Sequence, residues 1–365
     1  MSEPVMRRTQ AGHVVGSSHT PVFRVHSPLT KALSLCSVLS MLMLAGAPMH
    51  VQAETVKTEV QSVASAKAQY SLLLDIVSVG KRLVAVGDRG HILFSDDNGD
   101  SWKQASVPSK QMLTAVFFLD DSHGWAVGHD AQILASSDGG ATWVKQFEDM
   151  EREEGAPFLD VWFKDRNSGF AVGAYGALMA TTDGGTTWED VSDRMGNEDA
   201  YHLNAIVEVK DSGLFIVGEQ GVMFRSPDWG QTWEALESPY EGSLFGALGT
   251  GEPGALLVYG LRGHVFRSAD FGSTWERISL KTANNGELEF GLANGAIFKD
   301  GSIVIVGHGG SVLRSIDKGR SFSVENRPDR LSLAGLAMDS SGRMILVGQG
   351  GVHVPASTDA SLGQQ

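Results

Sequence analysis

Six acidic turns recur along this 365-residue chain, each joining groups that could hold a phosphate or a cation: an aspartate, one or two glycines and a hydroxyl. They are SDDNGDSW (Ser95–Trp102), SSDGGATW (Ser136–Trp143), TTDGGTTW (Thr181–Trp188), SPDWGQTW (Ser226–Trp233), SADFGSTW (Ser268–Trp275) and SIDKGRSF (Ser315–Phe322). Backbone amides of a glycine turn can cradle an anion, and a carboxylate among hydroxyls can ligate a hard cation. Either site would need convergent ligands from elsewhere, yet the same turn returns at Asp97, Asp138, Asp183, Asp228, Asp270 and Asp317, at spacings of 41, 45, 45, 42 and 47 residues. A period in the forties marks a repeat array, whose repeated motif shares one stacking role. The turn has a mechanical explanation of that kind. The aspartate accepts hydrogen bonds from its own turn, glycine tolerates positive φ, and Ser or Thr ties back the flanks. Trp102, Trp143, Trp188, Trp233 and Trp275 then bury a large ring against the neighbouring repeat.

The elements that carry these turns read as strands. LTAVFF (Leu113–Phe118) leads through a polar turn to GWAVGHD, then AQILASS, then the octapeptide and a short run beginning at its tryptophan. Four short strand candidates per period, without helical periodicity, make a four-stranded antiparallel unit, and its repetition predicts an all-β, seven-bladed β-propeller. The blades are expected near 72–106, 113–147, 158–192, 203–237, 244–280, 290–325 and 333–360. The seventh decays at STDA before any tryptophan. TVKTEVQ (Thr55–Gln61) alternates apolar and polar residues and is expected to supply its missing outer strand, closing the ring and removing an unpaired edge.

Residues 1–53 form an N-terminal extension and signal peptide ahead of a single propeller domain, 54–365. LSLCSVLSMLMLAGA (Leu33–Ala47) is an apolar run after Lys31 that ends near Val51-Gln52-Ala53, the pattern of a secretory signal with cleavage expected after Ala53. An uncleaved anchor and an organelle transit sequence are the competing readings of the same stretch. Cys36 is the single cysteine, so disulfides contribute nothing to the propeller. The net charge of −14, about −17 without the first 53 residues, repels nucleic acid and anionic lipid. An exported monomer is expected, in the periplasm or, in a photosynthetic organism, the lumen.

The octapeptide is similar to the Asp-box, which occurs in sialidases, some endoglucanases and sortilin-type receptors and selects a fold more than a function. The fuller repeats LTAVFFLDDSHGWAVGHDAQILASSDGGATW (Leu113–Trp143) and FLDVWFKDRNSGFAVGAYGALMATTDGGTTW (Phe158–Trp188) resemble the photosystem II stability/assembly factor family of cyanobacteria and plastids, with its non-photosynthetic bacterial relatives. That resemblance, from about Leu72 onward, implies an exported, non-enzymatic scaffold that binds a membrane-associated protein complex or its exported segment. It also implies an arginine patch, with an arginine before each Asp-box. Here only Arg225, Arg267 and Arg314 stand at that place, while Phe94, Ala135 and Ala180 fill it in the first three blades.

Alternation of turns puts the hairpin between the second and third strands on the face opposite the Asp-boxes, together with the connections between blades. Loops on a rigid scaffold are where binding residues collect. Arg89, His129, Tyr175, Arg262 and His308 stand at these tips and could grip a carboxylate through charge-assisted hydrogen bonds. Two acidic connections, FEDMEREEGAP (Phe147–Pro157) and GNEDAYH (Gly196–His202), are expected on the same face, as solvated loops or as a seat for a cation or basic segment. No cofactor or metal is expected, because the seven histidines after residue 53 fall singly, without His-x-His or His-Glu-x-x-His. Gly-x-Ser-x-Gly is also missing. The alternative is an Asp-box glycoside hydrolase of sialidase or endoglucanase type, for which two carboxylates at the right separation would serve. The arginine signature that a sialidase carries before its first box is not found, since VFRVHSP (Val22–Pro28) lies in the segment expected to be removed.

Overall fold

Apolar stretches of four to seven residues, broken by glycine and aspartate turns, fold as hairpins stacked in series. The computed structural model describes residues 60–354, in which seven antiparallel sheets follow one another along the chain. Their innermost strands are Leu73–Val79, Leu113–Phe118, Phe158–Phe163, Leu203–Val209, Leu244–Gly249, Leu292–Ile297 and Leu333–Met338. Within each sheet, strands adjacent in sequence are hydrogen-bonded neighbours. The innermost strand of the last sheet packs against that of the first, and Ser78 Oγ donates to Met338 O at 2.6 Å. The expected seven-bladed propeller is therefore present.

Six blades have four strands, and the seventh has three among the described residues. The strand expected over 55–61 lies outside the described residues except for Val60 and Gln61, which belong to no strand. Ser62 instead lies against the first blade, with its amide donating to Val107 O (2.8 Å) and its hydroxyl to Arg89 O (3.2 Å). The signal segment, 1–53, is likewise outside the described residues. Among those described, helix is limited to short 3₁₀ turns, and none is long and apolar enough to cross a membrane.

The core sits between blades. Second strands such as Gly124–Gly128 and Gly213–Gly218 are buried on both faces, which is why they read as unbroken apolar runs. One cluster joins Val84, Val86, Leu113, Val116, Leu134 and Trp143 across the first two blades, and comparable clusters fill the other junctions.

The octapeptide works as its chemistry suggests. Asp138 Oδ1 accepts the amides of Ala141 and Thr142 (3.0 and 2.9 Å), Oδ2 accepts the Thr142 hydroxyl (2.7 Å), and Ser136 Oγ accepts the Gly140 amide (2.9 Å). The fourth and fifth residues are left-handed in all six copies, as at Phe271 (φ 56°) and Gly272 (φ 86°), and glycine is invariant at the fifth for a second reason. A Cβ on Gly272 would stand 2.7 Å from the Phe215 ring of the preceding blade, and one on Gly230 would stand 2.2 Å from Phe170. Trp143 is buried at that junction, edge-on to Phe118. Its indole donates to Gly140 O (3.0 Å), as that of Trp102 does to Gly99 O, whereas the buried indole nitrogens of Trp188, Trp233 and Trp275 have no partner among the described residues.

Each turn is also latched by a side chain of the preceding blade, always at its fourth residue. Arg82 reaches Gly139 O (3.1 Å), Gln146 reaches Gly184 O (2.8 Å), Arg225 reaches Phe271 O (3.1 Å) and Arg267 reaches Lys318 O (3.1 Å). Lys164 lies over the Trp229 ring at 4.8 Å. Arg343, from the last blade, donates to Asn98 O of the first at 2.6 Å and so closes the ring.

Candidate partner-binding face

The hairpins between second and third strands are Gly-x-x-Gly turns at Asp88–Gly90, Ala174–Gly176, Glu219–Gly221, Leu261–Gly263 and His308–Gly310. Their middle residue is left-handed even where it carries a side chain: Arg89 (φ 56°), Tyr175 (φ 55°), Gln220 (φ 51°) and Arg262 (φ 56°). Such a residue costs roughly 1–2 kcal/mol, and strain of this kind gathers at functional sites. The glycine that follows is enforced by packing, since a Cβ on Gly90 would lie 2.3 Å from Ser109 O and one on Gly263 2.3 Å from Leu288 O. Each tip thus presses on the connection entering the next blade, and tips and connections make one face.

Arg89, His129, Tyr175, Arg262 and His308 are all exposed on that face, opposite the Asp-boxes. The Arg89 side chain is 79 % exposed, its Nε 3.4 Å from Asp88. Tyr175 stands edge-on to His202 at 5.0 Å, and Tyr240 stacks on His264 at 4.3 Å. Tyr70, Leu72, Leu261 and Phe290 add exposed apolar surface beside the tips. The acidic connections lie here too, Gly155 O accepting the Asp130 amide (2.9 Å) and Asn197 packing on Gly176. Arg152 in the first of them is paired with Asp190.

Histidines that fall singly in the sequence mostly share one face of the ring. Of the seven described, His91, His129, His202, His264 and His308 lie at tips or connections of this face and His353, in the strand after the last tip, reaches back to Gln349 O (2.9 Å), whereas His123 sits on the other face, bonded to Asp120 (2.9 Å). No spacing rule could have grouped them, because they come from six blades.

Arg225, Arg267 and Arg314 stand on the Asp-box face. Arg225 is bonded to Glu234 (2.8 Å) as well as to its latch, and Arg267 is buried with Glu252 at 2.6 Å. Arg314 lies 3.8 Å from Asp300. The box aspartates are consumed within their own turns: the Ser101 hydroxyl and amide, with Ser95, hold the Asp97 carboxyl down at about 2.

A second polar cluster, unforeseen from sequence, lines the central channel. Every innermost strand has a bulge after its first residue, and the residues past it are Asp75, Ala115, Asp160, Ala205, Gly246, Asn294 and Gly335. Asp75 accepts the amides of Ile76 (2.9 Å) and, in the next blade, Val116 (3.0 Å), with Asn294 Nδ2 at 3.0 Å. Asp160 accepts Val161 (2.8 Å) and, in the next blade, Ile206 (2.9 Å). Burial pushes Asp75 up to about 6 and Asp160 up to about 7 against these hydrogen bonds, and the Asp75 charge adds to the rise at Asp160. Tyr259 is buried beside them, its hydroxyl in the cleft between Gly246 and Gly295, and burial with both carboxylates raises its phenol. The legible signal was an acid inside an apolar strand, in LLLDIVSV and FLDVWF.

A family profile described as photosynthesis system II assembly factor YCF48 matches residues 95–158 and 144–285. The photosystem II stability/assembly factor HCF136 of Cyanidioschyzon merolae is 34 % identical over 116 residues, 30 % of this chain and 26 % of that protein, so the chain matches only about a quarter of the relative's length. A structure titled "YCF48 bound to D1 peptide" superposes with a TM-score of 0.60 at 18 % identity, over 79 % of this chain and 95 % of that one. A streptogramin B lyase superposes with a TM-score of 0.64 at 12 % identity, over 80 % and 95 %, which shows the fold alone.

Proposed function

This chain belongs to the photosynthesis system II assembly factor family, and from that premise we propose that it is an exported, non-enzymatic scaffold whose tip face binds a segment of a membrane-associated protein. The observation that carries this reading is the set of exposed side chains held on strained, rigid turns: Arg89, Tyr175 and Arg262, with His129 and His308 at neighbouring tips. Guanidinium groups suit a carboxylate, and the aromatic and aliphatic residues between them suit the apolar part of an extended peptide. The Asp-box face offers less, since its aspartates and the Arg225 and Arg267 guanidinium groups already have partners within the chain.

Fluorescence anisotropy with labelled C-terminal and loop peptides of exported membrane-protein segments tests this reading. Binding is expected to fall at least about tenfold, the equivalent of 1.4 kcal/mol, in Arg89→Glu/Arg262→Glu with the melting temperature unchanged. Loss of binding in an Arg314→Glu variant alone would move the site to the Asp-box face. Turnover of fluorogenic sialoside or β-glucan substrates that disappears on changing a tip residue would replace the scaffold by an enzyme.

A further inference from the structure

Asparagine is followed by glycine three times in the chain, at Asn98-Gly99, Asn285-Gly286 and Asn294-Gly295. Such a pair can react with itself, because a residue without a Cβ lets its own backbone nitrogen approach the preceding carboxamide closely. The structure sets the three pairs apart. Asn98 Oδ1 accepts the Ser340 hydroxyl (2.7 Å), and the buried Gly99 amide is spent on Ser95 Oγ (2.8 Å). Asn294 donates to Asp75 (3.0 Å) and accepts the Gly295 amide (2.7 Å), so that amide points at the carboxamide oxygen and not at its carbon. Asn285 and Gly286 are instead exposed, at the end of a small hairpin in the connection from the fifth blade to the sixth. The Thr282 amide and hydroxyl close that hairpin on Gly286 O (2.9 and 3.0 Å), and the Asn285 amide donates to Thr282 O (2.9 Å). These bonds occupy the Gly286 carbonyl and the Asn285 amide. The two groups that would react, the Asn285 carboxamide and the Gly286 N–H, bond to no described residue.

We propose that Asn285 is a self-modification site, the asparagine that this protein converts first to aspartate and isoaspartate. The Gly286 nitrogen bonds to Asn285 Cγ and the Cγ–Nδ2 bond breaks, Nδ2 leaving as ammonia with the proton from Gly286 and a five-membered succinimide remaining. Water then opens either carbonyl of that ring. One opening restores the ordinary backbone with an aspartate, and the other routes the backbone through the side chain as isoaspartate. Water is the only co-reactant. Either product sets a new carboxylate beside the Lys281–Glu287 ion pair, on the connection whose Leu288 carbonyl packs under Gly263. The face that carries Arg262 therefore gains negative charge as the protein ages, whether or not that face binds a partner.

Tandem mass spectrometry of tryptic digests tests it, on full-length protein kept folded at mildly alkaline pH and sampled over weeks, with an isoaspartate-specific methyltransferase as the second readout. The peptide that follows Lys281 carries Asn285 and Asn294 together, so fragment ions compare the two in one molecule. In the folded protein Asn285 is expected to convert at least about tenfold faster than Asn98 or Asn294, whose pairs must first open, and the advantage should vanish in urea. Gly286→Ala brings a Cβ only to 3.5 Å from Thr282 Oγ1, so the fold is kept, and conversion at Asn285 should slow at least about tenfold as the nitrogen is held off. Equal rates at the three pairs in the folded protein would overturn the proposal. So would conversion at Asn285 that ignores Gly286→Ala, or a folded protein that stays unmodified there while the unfolded chain reacts.

Discussion

Replacing Asp160 by Asn should flatten the dependence of stability on pH between about 5 and 7. In the unfolded chain an aspartate ionises near its ordinary value of 3.8, whereas in the folded ring burial keeps the proton on Asp160 up to about 7 and on Asp75 up to about 6. A folded-state value above the unfolded one means that the native state binds more protons in that window. Stability therefore falls as pH rises from the unfolded to the folded value, and is flat above it. At about 1.4 kcal/mol per unit, a rise of about three units at Asp160 corresponds to a loss of at most about 4 kcal/mol, and at Asp75 to at most about 3. Both residues are only half-buried, so solvent screens part of this, and a measured loss of about 1–4 kcal/mol is expected for the pair. The box aspartates act in the opposite sense and lower down: hydrogen bonds depress Asp97 and Asp183, so their contribution is lost only as pH falls below 3.8. Urea unfolding with a chelator present, at pH values from about 5 to 8, would read the slope. Asn can accept at only one of the two amides that Asp160 now serves, so the variant's offset carries little information and its slope carries the test. An Asp160→Asn slope equal to that of the wild type would show that the channel carboxyls do not hold their protons.

Three further outcomes follow from the packing. Asp138→Ala strips acceptors from two amides and two hydroxyls and should cost about 2–3 kcal/mol in urea unfolding, while peptide affinity of the folded fraction stays the same. Arg343→Ala removes the guanidinium latch on Asn98 O and Asp100, leaving the Ser340 hydroxyl on Asn98 Oδ1, and should cost about 1–3 kcal/mol. Hydrogen exchange should quicken in the first and last blades before it does in the fourth. Gly272→Ala combines a left-handed backbone with a collision against Phe215 and should lower stability by more than 1 kcal/mol, read as a lower melting temperature.

The propeller was legible because its repeat is local: one octapeptide contains its own aspartate, its own donors and its own glycine, so a linear pattern reports a three-dimensional unit. Hairpin alternation then sufficed to put Arg89 and His308 on one face without any contact being known. The latches were not legible, since Arg82, Gln146, Lys164 and Arg225 leave from different strands or turns and share only their destination. Arg225 and Arg267 consequently read as surface cations, although each spends a guanidinium nitrogen on the next blade. Asp75 and Asp160 escaped for a related reason. Their value lies in amides of the neighbouring innermost strand, about forty residues on, and only ring geometry brings these within reach.

The latches all point the same way round, and that gives the ring a time order as well as a shape. On a chain made from its N-terminus, Arg82, Gln146, Lys164, Arg225 and Arg267 each exist before the turn they hold, so every new blade meets a hook already waiting. The junction at Asn98 is reversed. That turn is among the first to be made, and its hook, Arg343, among the last, so the first blade keeps an open carbonyl and a bare flank through almost the whole of synthesis. The nascent protein is thus a growing stack with a single unfinished seam, and Arg343 is the residue whose arrival ends its exposure.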